Sequence, residues 1–326
     1  MKKVVLTGAA GFLGSFLSEE LLENGYEIIG IDNFFRGKKE YLPRHKNFKF
    51  YDIDLVKKPE EFKKIVKKEK PEIMIHYAAI NGTKYFYDIP YQVINDNVRM
   101  TQNVLEACKN SKVKKIVYAS SSETYGEPQQ IPTPETHPIL LNIHTNRDSY
   151  ASSKAINDFY VKLFAKEHNL NFLILRIFNT YGPHMDTSEY GQVIPEFINK
   201  MFNDNKFTII GNGEHTRSFC YVDDHTRLAR KLIENVQNKI INLGNDKEIK
   251  IVELAKKIHQ IEKKEFKPDY LPAREYDHKR RCPDINKLKQ LIKDYPKISL
   301  ETGLQKTIED FKLKVRFKEN VKKTAE

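Results

Sequence analysis

Tyr150-Ala151-Ser152-Ser153-Lys154 sets a phenol and an ammonium four residues apart, a spacing that puts both on one face of a helix. A cation beside a phenol favours the phenolate and lowers its pKa, so Tyr150 reads as a general base near neutral pH and Lys154 as its partner. Upstream, Ser120-Ser121-Ser122-Glu123-Thr124-Tyr125-Gly126 offers small hydroxyls that can hydrogen-bond a substrate hydroxyl, Ser121 among them, and Glu123 adds a carboxylate. Each stretch alone is common. Together they suit removal of a proton from an alcohol.

A second group of residues suits a phosphate. Thr7-Gly8-Ala9-Ala10-Gly11-Phe12-Leu13-Gly14 falls between a β-rich run and a helical pattern. Glycines at 8, 11 and 14 permit a tight turn and close approach of the backbone to a pyrophosphate, which the helix N-terminus attracts. Asp32 closes the next β-rich run, where a carboxylate can accept hydrogen bonds from both adenosine ribose hydroxyls and repel a 2′-phosphate. That favours NAD over NADP, although Arg36 stands close by.

The elements that must position these groups follow from periodicity. Candidate strands are Lys3–Thr7, Glu27–Asp32, Phe48–Asp52, Ile73–Ala78, Lys115–Ser120 and Phe172–Phe178. Helical patterns cover Ser15–Glu23, Pro59–Lys68, Tyr91–Lys109 and Ser152–Glu167. Apolar strands alternating with helices imply βαβ units and a parallel sheet covered on both faces. Beyond about residue 180 the alternation breaks down, and Gly182-Pro183, Gly211-Asn212-Gly213 and Lys267-Pro268 punctuate shorter elements. The expected fold is α/β, a doubly wound Rossmann sheet with a smaller mixed C-terminal substrate domain. We expect a cofactor domain at residues 1–179, a substrate domain at 180–311, part of 218–237 returning to the first, and a basic tail at 312–326.

Composition narrows the class. The 326 residues are 40% hydrophobic, enough for a substantial core, so wholesale disorder is excluded. Cys108, Cys220 and Cys282 are scattered, which fits a reducing compartment better than a disulfide scaffold or a cysteine metal site. No apolar run is long enough to span a bilayer. The net charge of +11 is spread over helical stretches interleaved with glutamates, the pattern of a solvated face. Met1-Lys2-Lys3 before Val4–Leu17 imitates a leader, but glycines interrupt the run and Glu19-Glu20 follow. We read a cytoplasmic protein with neither membrane nor nucleic acid as partner.

The glycine loop, Asp32, His76-Tyr77-Ala78-Ala79, the serine loop and the tyrosine–lysine pair together resemble the extended short-chain dehydrogenase/reductase family. The likeness covers roughly residues 3–310. Its members modify nucleotide-linked sugars as epimerases, dehydratases and decarboxylases. The later segments Arg176–Pro183, Thr216–Asp224, Ile241–Asn245 and Arg281-Cys282-Pro283-Asp284-Ile285 are most similar to UDP-glucuronate decarboxylases.

The resemblance implies NAD held by Gly8, Gly11, Phe12, Leu13, Gly14, Asp32 and Asn33, with Asp54 and Leu55 beside the adenine (Asp52 in an alternative register). Ala78, Ala79, Asn97, Tyr150 and Lys154 would complete that site. Asn179, Val193, Arg217 and Arg281 would hold the sugar nucleotide, the arginines meeting its diphosphate. It also implies a homodimer through Tyr91–Lys109 and Ser152–Glu167.

The family reaction starts with oxidation at sugar C4, Tyr150 taking the hydroxyl proton and NAD the hydride. A C6 carboxylate then leaves as carbon dioxide, a C6 hydroxyl leaves as water once a base such as Glu123 removes the C5 proton, or the ketosugar turns over and epimerises. Ser122-Glu123 is similar to the pair of decarboxylases and of GDP-mannose dehydratases, and Arg147 matches the decarboxylase pattern, being placed to pair with a substrate carboxylate; its bland reading is a surface arginine. Ala151-Ser152-Ser153 and Ile80-Asn81-Gly82-Thr83 depart from it. Decarboxylase or dehydratase leads, 4-epimerase follows, and a non-catalytic RNA-binding member of the fold is remote.

Overall fold

The computed structural model describes residues 1–188, 191–203, 206–273 and 278–325, with side chains described through residue 314. The side chains of the expected basic tail from residue 315 onward therefore lie outside the described residues.

The first half alternates strands and helices: β1 (Lys3–Thr7), α1 (Phe12–Glu23), β2 (Glu27–Asp32), β3 (Phe48–Asp52), α2 (Pro59–Glu69), β4 (Ile73–His76), α3 (Tyr85–Asp88), α4 (Pro90–Cys108), β5 (Lys115–Ser121), α5 (Asp148–Glu167) and β6 (Asn171–Ile177). Strand Lys239–Leu243 joins these at an edge, giving a seven-stranded sheet with the order 239–243, β6, β5, β4, β1, β2, β3. Every pairing in it is parallel. The edge strand falls inside the stretch expected to form the substrate domain. The sequence reading missed it because Ile240, Ile241 and Leu243 make too short an apolar run to separate from a loop.

Covering both faces of a parallel sheet requires two apolar layers. Leu17 and Leu21 of α1 pack with Leu228 and Leu232 of the helix Val222–Asn235 on one face. Phe62 of α2, Val104 and Leu105 of α4 and Val161 of α5 pack on the other. A third core, built on Phe197, Ile209, Leu254 and Leu304, holds the second half together. Among the described residues no helix is long and apolar enough to cross a membrane.

The chain leaves β1 toward β2 and later returns to β4 on the other side of β1. This reversal opens a crevice at the carboxyl ends of the strands, the position where open α/β sheets take ligands.

Candidate active site

A cleft of about 1290 Å³ starts at that crevice and runs into the second half. Its floor is the turn from β1 into α1. A Cβ on Gly8, which has φ +76°, would lie 2.8 Å from the Ala78 nitrogen, and one on Gly14 would lie 2.0 Å from the Gly8 carbonyl oxygen. Only glycine fits either place. Among the described residues no side chain caps the start of α1, where Gly11 takes the capping position. Its amides stay available to an anion, as a pyrophosphate requires.

Asp32 ends β2 beside this turn. Its Oδ2 accepts from the Ala10 amide at 3.0 Å and its Oδ1 from the Phe34 amide at 2.8 Å, fixing the carboxylate at the rim. Burial raises its pKa above the ordinary value against those amide bonds. Asn33 donates to Asp54 at 3.2 Å, and both line the cleft beside Asp32. Asp54, and not the alternative Asp52, lines the cleft.

Two expected cofactor residues sit elsewhere. Leu55 packs in the core under α2 rather than lining the cleft. Asn97, buried in α4, lies behind the wall: its Oδ1 accepts from the Ile80 amide at 2.7 Å and its Nδ2 donates to the Ile80 carbonyl. It shapes the loop after β4, with Ala78 and Ala79 in the wall itself. An asparagine inside a helix gives no sequence cue to which side it faces.

The catalytic end lies above β4 and β5. Helix α5 starts at Asp148, earlier than periodicity suggested, because the acidic residue suits a helix N-terminus and its Oδ2 also accepts from the Asn142 amide at 2.7 Å. Tyr150 therefore sits in the first turn, its ring stacked on Phe86 at 4.9 Å and 11°. The Lys154 Nζ donates to the Ala119 carbonyl at 2.7 Å. Both side chains line the cleft with Ser121 and Glu123.

The expected lowering of the Tyr150 pKa is not what the ligand-free site produces. Burial pushes the phenol above its ordinary value and the Glu123 charge adds to this, against a smaller pull from Ser121 and Arg36. Burial likewise pushes Lys154 down to about 7, which weakens the cation that should help the phenol.

Glu123 is bracketed by two arginines and a histidine. Arg281 makes a close ion pair with it, Arg147 lies 3.6 Å away, and the His278 Nε2 lies 3.7 Å from its Oε2. Burial opposes its charge, and Arg281 and Arg147 overcome burial, holding the carboxyl well below the usual range. His278 also pairs closely with Glu127. The sequence reading did not single it out, since a histidine beside a basic run carries no signal of its own.

Asn179, Val193 and Arg217 line the far part of the cleft. Arg281 does not, although its strand Arg280–Arg281 pairs with Thr216–Ser218 in register with Arg217, and its head turns to Glu123. Among the described residues no group of histidine, cysteine, aspartate or glutamate could hold a metal ion.

A glycine cradle at a switch point, an aspartate at the end of the second strand and a tyrosine–lysine pair over the same cleft define a Rossmann-fold, NAD-dependent enzyme. Residues 4–244 match the family model described as the NAD dependent epimerase/dehydratase family, and the chain belongs to that family. It is 33% identical over 320 residues to a UDP-N-acetyl-alpha-D-glucosaminuronate decarboxylase of Bacillus cytotoxicus, covering 95% of this chain and 98% of the relative. It is 31% identical to UDP-glucuronic acid decarboxylase 1 of Xenopus tropicalis, covering 98% of this chain and 74% of that protein. The structure also resembles that of a UDP-glucose 4-epimerase of Thermotoga maritima, with TM-score 0.90, 31% identity and coverage of 96% and 99%.

Proposed function

We propose that this enzyme decarboxylates a UDP-linked uronic acid through a 4-keto intermediate. Tyr150, helped by Ser121, takes the proton of the C4 hydroxyl, and NAD, when bound, would supply the hydride acceptor. The resulting β-keto acid loses carbon dioxide without a further base. The electron pair of the C5–C6 bond passes into a C4 enolate, which takes a proton at C5. The 4-keto pentose is then either released or reduced by return of the hydride. The observation that carries this reading is the state of Glu123. A carboxylate clamped by Arg281 and Arg147 is too weak a base to remove the C5 proton, which dehydration demands. Arg147, which lines the cleft, marks that end of it for an acidic sugar. The decarboxylases among the relatives support it.

Asn179, Val193 and Arg217 hold the nucleotide at the far end of the cleft in this reading. Cys108, Cys220 and Cys282 are free and buried, which fits a cytoplasmic enzyme of carbohydrate biosynthesis. We divide the chain near residue 180 into a cofactor part and a sugar-nucleotide part, with the helix Val222–Asn235 and the strand Lys239–Leu243 assigned to the first.

Epimerisation at C4 is the second reading, favoured by the likeness to the Thermotoga enzyme and by Ala151-Ser152-Ser153 between the catalytic pair. A shared fold does not choose between the reactions. The deciding experiment incubates the enzyme and NAD with UDP-glucuronate, UDP-N-acetylglucosaminuronate and UDP-glucose, with mass analysis of each product. Release of carbon dioxide from an acid is expected. Interconversion of epimers without change of mass would overturn the proposal.

A further inference from the structure

Arg36 leaves the loop after β2, just past Asp32, and does not stay on its own side of the crevice. Its Nη1 donates to the Asn81 carbonyl, on the loop after β4. Its Nη2 pairs with the Asp186 Oδ2 at 2.8 Å, on the segment before the helix Val193–Asn203 of the second half. The guanidinium carbon stands 5.8 Å from the centre of the Tyr85 ring. Arg36, Asn81 and Asp186 all line the cleft.

Strands β2 and β4 flank β1, so a side chain reaching from residue 36 to residue 81 crosses the switch point. A dinucleotide with its ribose at Asp32 and its reactive ring at Tyr150 must run along the same path. The bond to Asp186 then joins the two walls of the cleft. Burial works against charge on Asp186, and the Ser188 amide and Arg36 outweigh it, holding the carboxyl below its ordinary range. The side chains keep 26% and 34% of their exposure, so water can reach the pair and it can open.

We propose that Arg36 and Asp186 form a strap across the cleft that must open for NAD to enter or leave, which keeps the cofactor in place between hydride removal and hydride return. Arg36 is a positioning residue in this scheme. The inference needs NAD binding alone and holds whichever sugar is processed. Gating of this kind slows entry and exit together, whereas a simple contact to the cofactor slows exit only.

The test is stopped-flow measurement of NAD association and dissociation in unmodified protein, Arg36→Met, Asp186→Asn and Arg36→Lys. A charge-assisted bond that water can reach is worth up to roughly tenfold in rate. Arg36→Met and Asp186→Asn should both release NAD about 5–10-fold faster and also bind it faster, and Arg36→Lys, which can still pair with Asp186, should recover part of the slow exchange. Unchanged rates in both neutral variants would overturn the strap. So would an effect of Arg36→Met without one of Asp186→Asn, or faster release with unchanged or slower entry.

Discussion

The Lys154 Nζ lies 5.7 Å from the centre of the Tyr150 ring, inside a pocket that leaves both side chains almost without solvent. Burial acts on the two in opposite senses, raising the phenol and bringing the ammonium down to about 7. The active tautomer, phenolate with charged lysine, has the same proton count as phenol with neutral lysine. Two coupled groups lose their first proton as a pair, so the active form grows in as the pair titrates near pH 7.

The pH profile of kcat/KM should therefore rise to about pH 7 and level off above it. Lys154→Met leaves the raised phenol to titrate alone, so its profile should keep climbing past the ordinary tyrosine value near 10. At neutral pH this variant should be nearly inactive and should recover part of its rate in alkali. An unshifted profile in Lys154→Met would contradict the coupling.

Tyr150→Phe isolates the phenol oxygen, because phenylalanine preserves the stack on Phe86. Loss of the general base should slow C4 oxidation by roughly 10²–10⁴-fold. NADH formation in a single turnover is the measurement, with sugar-nucleotide affinity followed separately by calorimetry. Affinity should hold. Near-normal turnover would remove Tyr150 from the chemistry.

Much of this arrangement was legible in the sequence because it follows from local rules. Gly8 and Gly14 mark a turn that admits no Cβ, and the spacing of Tyr150 and Lys154 fixes their common face. The rest depends on contacts between distant segments. Nothing in the strand Arg280–Arg281 says that Arg281 turns away from the cleft to Glu123, and nothing near Asp186 points to Arg36. The direction of the Tyr150 shift was missed for a related reason. Spacing reveals a neighbouring charge, but burial, the larger influence here, appears only once the chain is folded.

Assembly gives a further prediction. Helices α4 and α5 pack together, yet Tyr91, Phe159 and Leu163 remain 80%, 54% and 57% exposed on them, with Ile94, Ile156 and Tyr160 beside these. Ile156, Phe159, Tyr160 and Leu163 recur at helical spacing and form one stripe. A second copy of the chain is the proposed cover. Light scattering should give a dimer at micromolar concentration, and Phe159→Glu with Leu163→Glu should give a folded monomer. A monomeric unmodified protein would refute this interface.

The last prediction concerns the acid-binding end of the cleft. Arg147, with its side chain 10% exposed, lies 3.6 Å from Glu123, while Arg281 contacts the same carboxylate closely. A uronate placed there competes with Glu123 for Arg147 and is repelled by the Glu123 charge. Arg147→Ala should therefore raise the KM for UDP-glucuronate by about tenfold or more, the worth of a charge-assisted bond, and leave binding of the neutral UDP-glucose little altered. Glu123→Gln removes the competing charge and frees Arg147, so the uronate should bind more tightly and carbon dioxide should still be released, since its loss from a β-keto acid needs no carboxylate base. Steady-state kinetics on both nucleotides, with product masses, provides the check. If Glu123→Gln instead accumulated a 4-keto sugar that kept all its carbons, Glu123 would be the C5 base, and elimination of water would replace decarboxylation as the reaction of this site.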